Sequence, residues 1–338
     1  QAFAAAFAPI VRGVGLNVAG GCCGTTPDHI RELRQALGAA EAPAPRAARP
    51  PDQVASLFAP VDLTQEPAPL YVGERANATG SKKFREALLA ERLDAAFDLL
   101  VEQDEGVAHV LDLSVAYAGR NEIADMTALV ARAGRECRLP LMVDSTQLDV
   151  VEAALKLYGG RMLVNSINFE SGEEKAEKLV ALAKQFGAGL VALTIDETGM
   201  AMTADRKVEI ARRLIEFCEQ RGLRRGDLLI DALTFTVCSG DGALRDAAKE
   251  TIAAIRRIKK EFPGVRTILG LSNVSFGLKP PARKVLNTVF LDRCIKAGMD
   301  ACIINTSTLV PLTDLAPAAV KLAEKLLDND AADGDPLE

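Results

Sequence analysis

The chain has 338 residues, 49% hydrophobic and 25% charged, with aromatics at only 4% and no Trp, which is material for one large aliphatic core. A net charge of −6, no basic block and few stacking rings exclude nucleic acid as a partner, and no apolar run is long enough to span a membrane. With only two histidines, His29 and His109, mechanisms built on Ser-His or Cys-His pairs are excluded as well, which leaves acid–base work to carboxylates, amides or water.

Taken in chain order, Gln1–Ile10 is rich in Ala and Phe but has no basic flank, so it reads as a helix and not as a signal peptide. It lacks an initiating Met, so the chain is expected to begin inside a longer protein; without an export signal, a cytoplasmic location is expected and a disulfide framework is not. Residues 1–38 read helix, short strand, tight Gly-Cys turn, helix. Residues 39–69, rich in Ala and Pro, read as a semi-extended linker with a short helix near Gln53–Phe58.

From Leu70 the pattern becomes regular. Strands are expected at Leu70–Gly73, His109–Leu113, Leu141–Val143, Met162–Val164, Leu190–Thr194, Leu228–Ile230, Thr267–Leu271 and Ala301–Ile304. A helix is expected after each, at Lys82–Glu105, Glu122–Cys137, Leu148–Tyr158, Glu173–Phe186, Ala204–Arg221, Leu244–Glu261, Arg283–Ala297 and Leu312–Leu327. Such strict alternation over roughly 260 residues predicts an α/β fold, a (β/α)8 TIM barrel over 70–328, with an open doubly wound sheet as the rival. Residues 329–338 read as the start of a further linker. Five of the seven cysteines fall singly in apolar patterns, as small buried hydrophobes do, whereas Cys22 and Cys23 are adjacent.

The carboxyl ends of the strands are more specific. In order, they carry Glu74 with Arg75 and Asn77, then Asp112, Asp144, Asn165, Asp196, Asp231, Ser272-Asn273 and Asn305. In a TIM barrel these ends build the active site. Any single Asp reads as well as a helix N-cap, but capping does not explain Asp, Asn or Glu at all eight. Carboxylates accept hydrogen bonds and carboxamides both donate and accept, so the ring suits a flat heterocycle bearing N–H donors and carbonyl acceptors. No Gly-rich phosphate loop of recognisable spacing is present, and the absence of His at the mouth disfavours a metal cluster. Crowded carboxylates repel one another, so at least one is expected to hold a proton near neutrality, which suits protonation of a poor nitrogen leaving group.

The strings Val72-Gly-Glu-Arg-Ala-Asn-Ala-Thr-Gly80, Asp144-Ser-Thr, Val164-Asn-Ser-Ile, Asp196-Glu-Thr-Gly199 and Leu271-Ser-Asn-Val-Ser-Phe-Gly277 resemble the pterin-binding barrel of the cobalamin-dependent methionine synthases. Corrinoid-protein methyltransferases share much of the pattern, and dihydropteroate synthases share it more distantly. The head of the chain, Gly15-Leu-Asn-Val-Ala-Gly-Gly-Cys-Cys-Gly-Thr-Thr-Pro-Asp-His-Ile30, is similar to the end of the homocysteine-binding domain that precedes the folate barrel in that family. The resemblance implies that Cys22 and Cys23 are zinc ligands, with a third cysteine outside this chain; in this chain alone the pair reads as an inert remnant. It implies 5-methyltetrahydrofolate as substrate and cobalamin on another domain of the same polypeptide as the methyl acceptor. It also implies that Glu74, Asn77, Asp112, Asp144, Asn165, Asp231, Asn273 and Asn305 bind the folate. Asn273 would lie beside N5 and, with Asp144, act in catalysis. Lys279, Arg283 and Lys284 read either as partners of the anionic folate tail or as solvated charges at a helix start.

Overall fold

The computed structural model describes residues 1–16, 18–38, 52–332 and 334 and divides into two compact units, residues 1–51 and 52–338. In the first, helices α1 (Ala2–Val14) and α2 (Pro27–Leu37) bury Ala4, Ala8 and Leu33 against each other. Arg12 donates to the carbonyl of Ala36 at 2.6 Å, and the backbone N–H of Thr26 donates to His29 Nδ1 at 3.1 Å, closing the start of α2. The short strand predicted between the helices does not form among the described residues. Gly15 ends α1 at φ 69°, and the glycine-rich stretch beyond it leaves Val18 87% exposed, with no ladder to complete.

The second unit begins with an antiparallel hairpin, β1 (Gln53–Ala55) and β2 (Pro60–Asp62). This corrects the predicted linker over 39–69 and its short helix: residues 52–69 belong to the barrel unit, while 39–51 lie outside the described residues. The reason is burial. Val54 and Leu63 are fully buried and pack with the inward side chains of the barrel strands, closing its amino-terminal end. Ala55 bridges Arg161, and a Cβ on Gly160 would come within 2.0 Å of the Ala55 carbonyl, so only glycine permits that approach. Leu63→Ala is expected to cost about 2–4 kcal/mol, read as a lower denaturant midpoint.

The barrel strands are β3 (Leu70–Asn77), β4 (Val110–Ser114), β5 (Leu141–Asp144), β6 (Leu163–Ile167), β7 (Gly189–Leu193), β10 (Leu228–Asp231), β11 (Arg266–Gly270) and β12 (Ala301–Ile304), closed in that order by parallel pairs. Two two-residue strands, β8 (Ile195–Asp196) and β9 (Gly199–Met200), form a small hairpin after β7. The helices are α3 (Lys82–Leu89), α4 (Leu93–Asp104), α5 (Glu122–Glu136), α6 (Leu148–Leu157), α7 (Glu173–Phe186), α8 (Ala204–Gln220), α9 (Ala247–Glu261), α10 (Pro280–Lys296) and α11 (Pro317–Leu327). No helix among the described residues is long and apolar enough to cross a membrane.

The predicted (β/α)8 barrel fold is therefore present, with local differences. The helix expected over Lys82–Glu105 is two, because Glu91 adopts φ 55° and its N–H turns back to the Leu88 carbonyl. Ala90-Glu-Arg is a strong helix-forming run, so propensity conceals a break that packing imposes. Short 3-10 turns at Gly242–Leu244 and Leu312–Asp314 take up the starts predicted for α9 and α11. α10 begins earlier than predicted because Pro280 and Pro281 suit its first turn, where no N–H is needed.

Candidate functional site

The polar ring arises from strand periodicity. Side chains alternate across a strand, and the inward layer of the barrel contains Val72, Val110, Met142, Leu163 and Leu229, all fully buried. Two residues further on, the same face carries Glu74, Asp112, Asp144, Asn165 and Asp231. The outward neighbours Leu111, Leu113, Val143, Val164 and Ile230 pack under the helices. The five side chains therefore converge on one cavity of about 550 Å3 at the carboxyl end, with Asn77 and Asn273 in its wall.

Glu74 reaches this position through an irregularity. The β3–β4 register shifts between Gly73 and Ala76, and a Cβ on Gly73 would meet Gln103 Oε1 at 2.5 Å. That oxygen accepts from Arg75 N at 2.8 Å, so the bulge stays hydrogen-bonded while Glu74 turns inward. Glu74 Oε1 accepts from Ser272 Oγ at 2.9 Å and from Asn305 N at 3.0 Å, which ties β3 to the loops after β11 and β12. Burial raises its pKa in spite of these bonds.

Asn77 separates two carboxylates. Its Oδ1 accepts from Thr79 N, Thr79 Oγ1 and Gly80 N, which fixes the amide so that Nδ2 donates to Asp112 Oδ2 at 3.1 Å and Asp144 Oδ2 at 3.2 Å. Asp112 is 1% exposed, and burial, then repulsion from Asp144, push its carboxyl well above the usual range. Burial pushes Asp144 up to about 6, against hydrogen bonds from Ser114 and Asn77. Asp231 rises to about 6 for the same first reason, although Leu233 N donates to its Oδ1 at 2.7 Å. The expected proton-holding carboxyl is thus present. Asp112 Oδ1 and Thr234 Oγ1, both in the cavity wall, are buried without a hydrogen-bond partner among the described residues. Buried polar atoms of that kind call for a ligand that completes them.

Asn165 and Asn273 line the cavity with no side-chain hydrogen bond among the described residues; Asn273 is exposed on the 3-10 turn Leu271–Ser275 after β11. Asn305 does not join them. It lines an adjoining recess of about 610 Å3, and its Oδ1 caps its own turn by accepting from Ser307 N and Oγ. Arg283 and Lys284 line that recess beside Glu74; Arg283 donates to Ser275 Oγ and to the Ser272 carbonyl, both at 3.1 Å. Asp196 is buried and engaged with Arg206 and with Thr198 Oγ1. Leu233, Thr234 and Phe235 continue the wall beyond Asp231, although the strand-end pattern does not single them out. The signal was there in the apolar run Ala232-Leu-Thr-Phe, too long for a solvated loop.

Within the barrel unit His109 is not at the mouth: it precedes β4, where its Nδ1 accepts from Tyr71 N at 2.9 Å; His29, in the first unit, closes α2. Cys137, Cys218, Cys294 and Cys302 are buried, as expected, whereas Cys238 is only partly buried. Cys22 and Cys23 are exposed with their sulfurs 3.7 Å apart, and hydrogen bonds from the Cys23 backbone and thiol lower the Cys22 pKa. Tetrahedral zinc with Zn–S bonds of about 2.3 Å spaces two sulfurs by about 3.75 Å, so the pair fits one edge of such a site. The described residues hold no group of three or more ligand side chains that could complete it.

Comparison with known proteins gives two profile matches: pterin binding enzyme over residues 73–305, and homocysteine S-methyltransferase over residues 2–37. The chain is 44% identical over 99% of its length to the methionine synthases of Mycobacterium leprae and Mycobacterium tuberculosis, and it spans 28% of the length of each. Among solved structures, dihydropteroate synthase from Xanthomonas albilineans in complex with 7,8-dihydropteroate aligns with a TM-score of 0.54 over 81% of this chain and 98% of that one. The same enzyme with 4-aminobenzoic acid aligns at 0.53, over 83% and 98%. At 15% and 14% identity these two show a shared fold and nothing more.

Proposed function

This chain belongs to the pterin-binding enzyme family, and from that premise we propose that its barrel is the folate-binding part of a cobalamin-dependent methionine synthase, working in the cytoplasm. It binds 5-methyltetrahydrofolate and passes the N5 methyl group to cob(I)alamin carried by another domain of the same polypeptide. The observation that carries the reading is Asp112: a buried carboxyl whose Oδ1 has no hydrogen-bond partner among the described residues, in the wall of a cavity also lined by Asp144, Asn165 and Asp231. A pterin edge offers the ring N–H, amino and carbonyl groups that such a set can pair.

Each residue then has a physical task. Asp112, Asp144, Asn165 and Asp231 bind and orient the bicyclic ring, with Asn77 keeping the first two carboxyls in place. Arg283 and Lys284 offer positive charge in the adjoining recess to the anionic end of the folate. As the methyl leaves as a cation equivalent, N5 keeps the bonding electron pair and must take a hydrogen bond and then a proton. Asn273 donates that hydrogen bond, and a water held by the carboxyl ring supplies the proton. Asp144, the carboxyl assigned to catalysis beside Asn273, rises to about 6 and is poised to hold that proton.

The rim fits a second body above the mouth, since Tyr117 and Phe276, on loops after β4 and β11, and Met200, on the β8–β9 hairpin, are 41%, 69% and 58% exposed. Cob(I)alamin, when presented there, supplies the electron pair that accepts the methyl group. Cys22 and Cys23 would hold two corners of the zinc site with a third cysteine outside this chain, and the metal would favour the homocysteine thiolate.

Titration with 5-methyltetrahydrofolate tests the reading. The wild type binds, and Asp112→Asn, which turns an acceptor into a donor facing ring N–H groups, binds about thirtyfold more weakly, as expected for a loss of roughly 2 kcal/mol. A wild type that gives no binding heat overturns it.

A further inference from the structure

One buried ion has no task in that scheme. Lys207, in the first turn of α8 behind the cavity wall, is fully buried. Its Nζ donates to the carbonyls of Ala232 and Leu233, the latter at 3.1 Å, and to Thr251 Oγ1 at 3.3 Å. Three donors thus meet three acceptors, and no proton is left for another partner. Thr251 Oγ1 in turn donates to the Leu233 carbonyl at 2.8 Å, and the Phe235 ring lies 5.1 Å from the ammonium.

These bonds converge on the peptide that follows Asp231. Leu233 sits at φ 60°, a region that a branched side chain adopts only when its surroundings impose it. That conformation turns the Leu233 N–H onto Asp231 Oδ1 at 2.7 Å. We propose that Lys207 is a positioning residue for Asp231, supplying the backbone hold and the balancing charge that present this carboxylate to the pterin as a hydrogen-bond acceptor.

The electrostatics support the geometry. A buried ammonium is costly, and an apolar side chain of similar length would fill the space without that cost. Its charge is accounted for by the anions that act on it, Asp231 from β10 and Glu250 from α9. Glu250 spends Oε2 on the Ala204 N–H at the start of α8, which leaves Asp231 as the anion on the substrate side. Burial lowers the Lys207 pKa to about 8, so it remains a cation at neutral pH, where it favours ionised Asp231.

The inference rests on the folate reading above. Its test is the affinity of wild type, Lys207→Met and Lys207→Arg for 5-methyltetrahydrofolate as a function of pH, with melting curves alongside. Without the cation, Asp231 should hold its proton to higher pH; a rise of one pKa unit from about 6 makes Lys207→Met bind about twofold more weakly near pH 7 and about tenfold more weakly near pH 5. The deficit shrinks as pH rises, and Lys207→Arg restores both affinity and profile. Asp112 and Asp144 titrate in every variant, so the difference between profiles isolates the lysine. If Lys207→Met does not melt cooperatively, Lys207→Gln, which keeps a donor without the charge, is read in its place. A lysine that only supports packing lowers the melting temperature and shifts affinity equally at every pH, and that result overturns the proposal. Failure of the wild type to bind folate sinks the functional reading instead.

Discussion

Asn273→Ala is expected to slow methyl transfer by about a hundredfold or more while weakening 5-methyltetrahydrofolate binding by less than about tenfold. Asn273 is exposed at the cavity rim, so it adds little to the burial of the ring. Its side chain carries no hydrogen bond among the described residues, and its backbone carbonyl accepts from Phe276 N at 3.1 Å, a bond that alanine keeps. The turn should therefore survive the substitution. The substitution removes a donor whose value rises as N5 gains electron density, and such a donor acts in the transition state more than in the bound complex. The two quantities separate cleanly: titration gives the affinity, and the decay of cob(I)alamin absorbance in a single turnover gives the rate. Equal losses in both would mean that Asn273 only helps to hold the ring.

The barrel was legible because period-2 and period-3.6 patterns alternate so regularly, and the cavity was legible because parallel strands buried on both faces have no reason to carry Asp unless the face is functional. Asp112, between Leu111 and Leu113, is the clearest instance. The features that stayed hidden depend on contacts distant in sequence. The hairpin over residues 53–62 reads as a linker because its burial comes from barrel side chains that begin at Leu70. Asn305 and Asp196 look like ring members by position, yet one caps its own turn and the other pairs with Arg206, choices that local sequence does not distinguish. Lys207 was invisible for the same reason: a lysine in the first turn of an amphipathic helix reads as solvated until the carbonyls of Ala232 and Leu233 are placed against it.

Asp144→Asn should stabilise the ligand-free protein at neutral pH while weakening its hold on folate. In the native barrel the Asp144 carboxyl is pushed up to about 6 from an ordinary 3.8. The native state therefore binds this proton more tightly than the unfolded chain does. Stability linked to Asp144 is fully present below the unfolded value and is lost as pH rises through about 4 to about 6. Two pKa units correspond to about 3 kcal/mol. The substitution also alters the hydrogen bonds with Ser114 and Asn77, so that figure is an upper bound. Asparagine keeps the shape and an acceptor for Asn77 Nδ2 but removes the charge, so the variant should melt several degrees higher at pH 7, given about 2–4 °C per kcal/mol for a domain of this size. Near pH 4 the two proteins should melt together, because the wild-type carboxyl is then protonated as well. A variant that melts lower by the same margin at both pH values would show that the ring is held by hydrogen bonds and not strained by charge. The expected pattern places Asp144 among residues retained at the expense of stability: burying its carboxyl destabilises the empty barrel, and a ligand that hydrogen-bonds it recovers part of that loss.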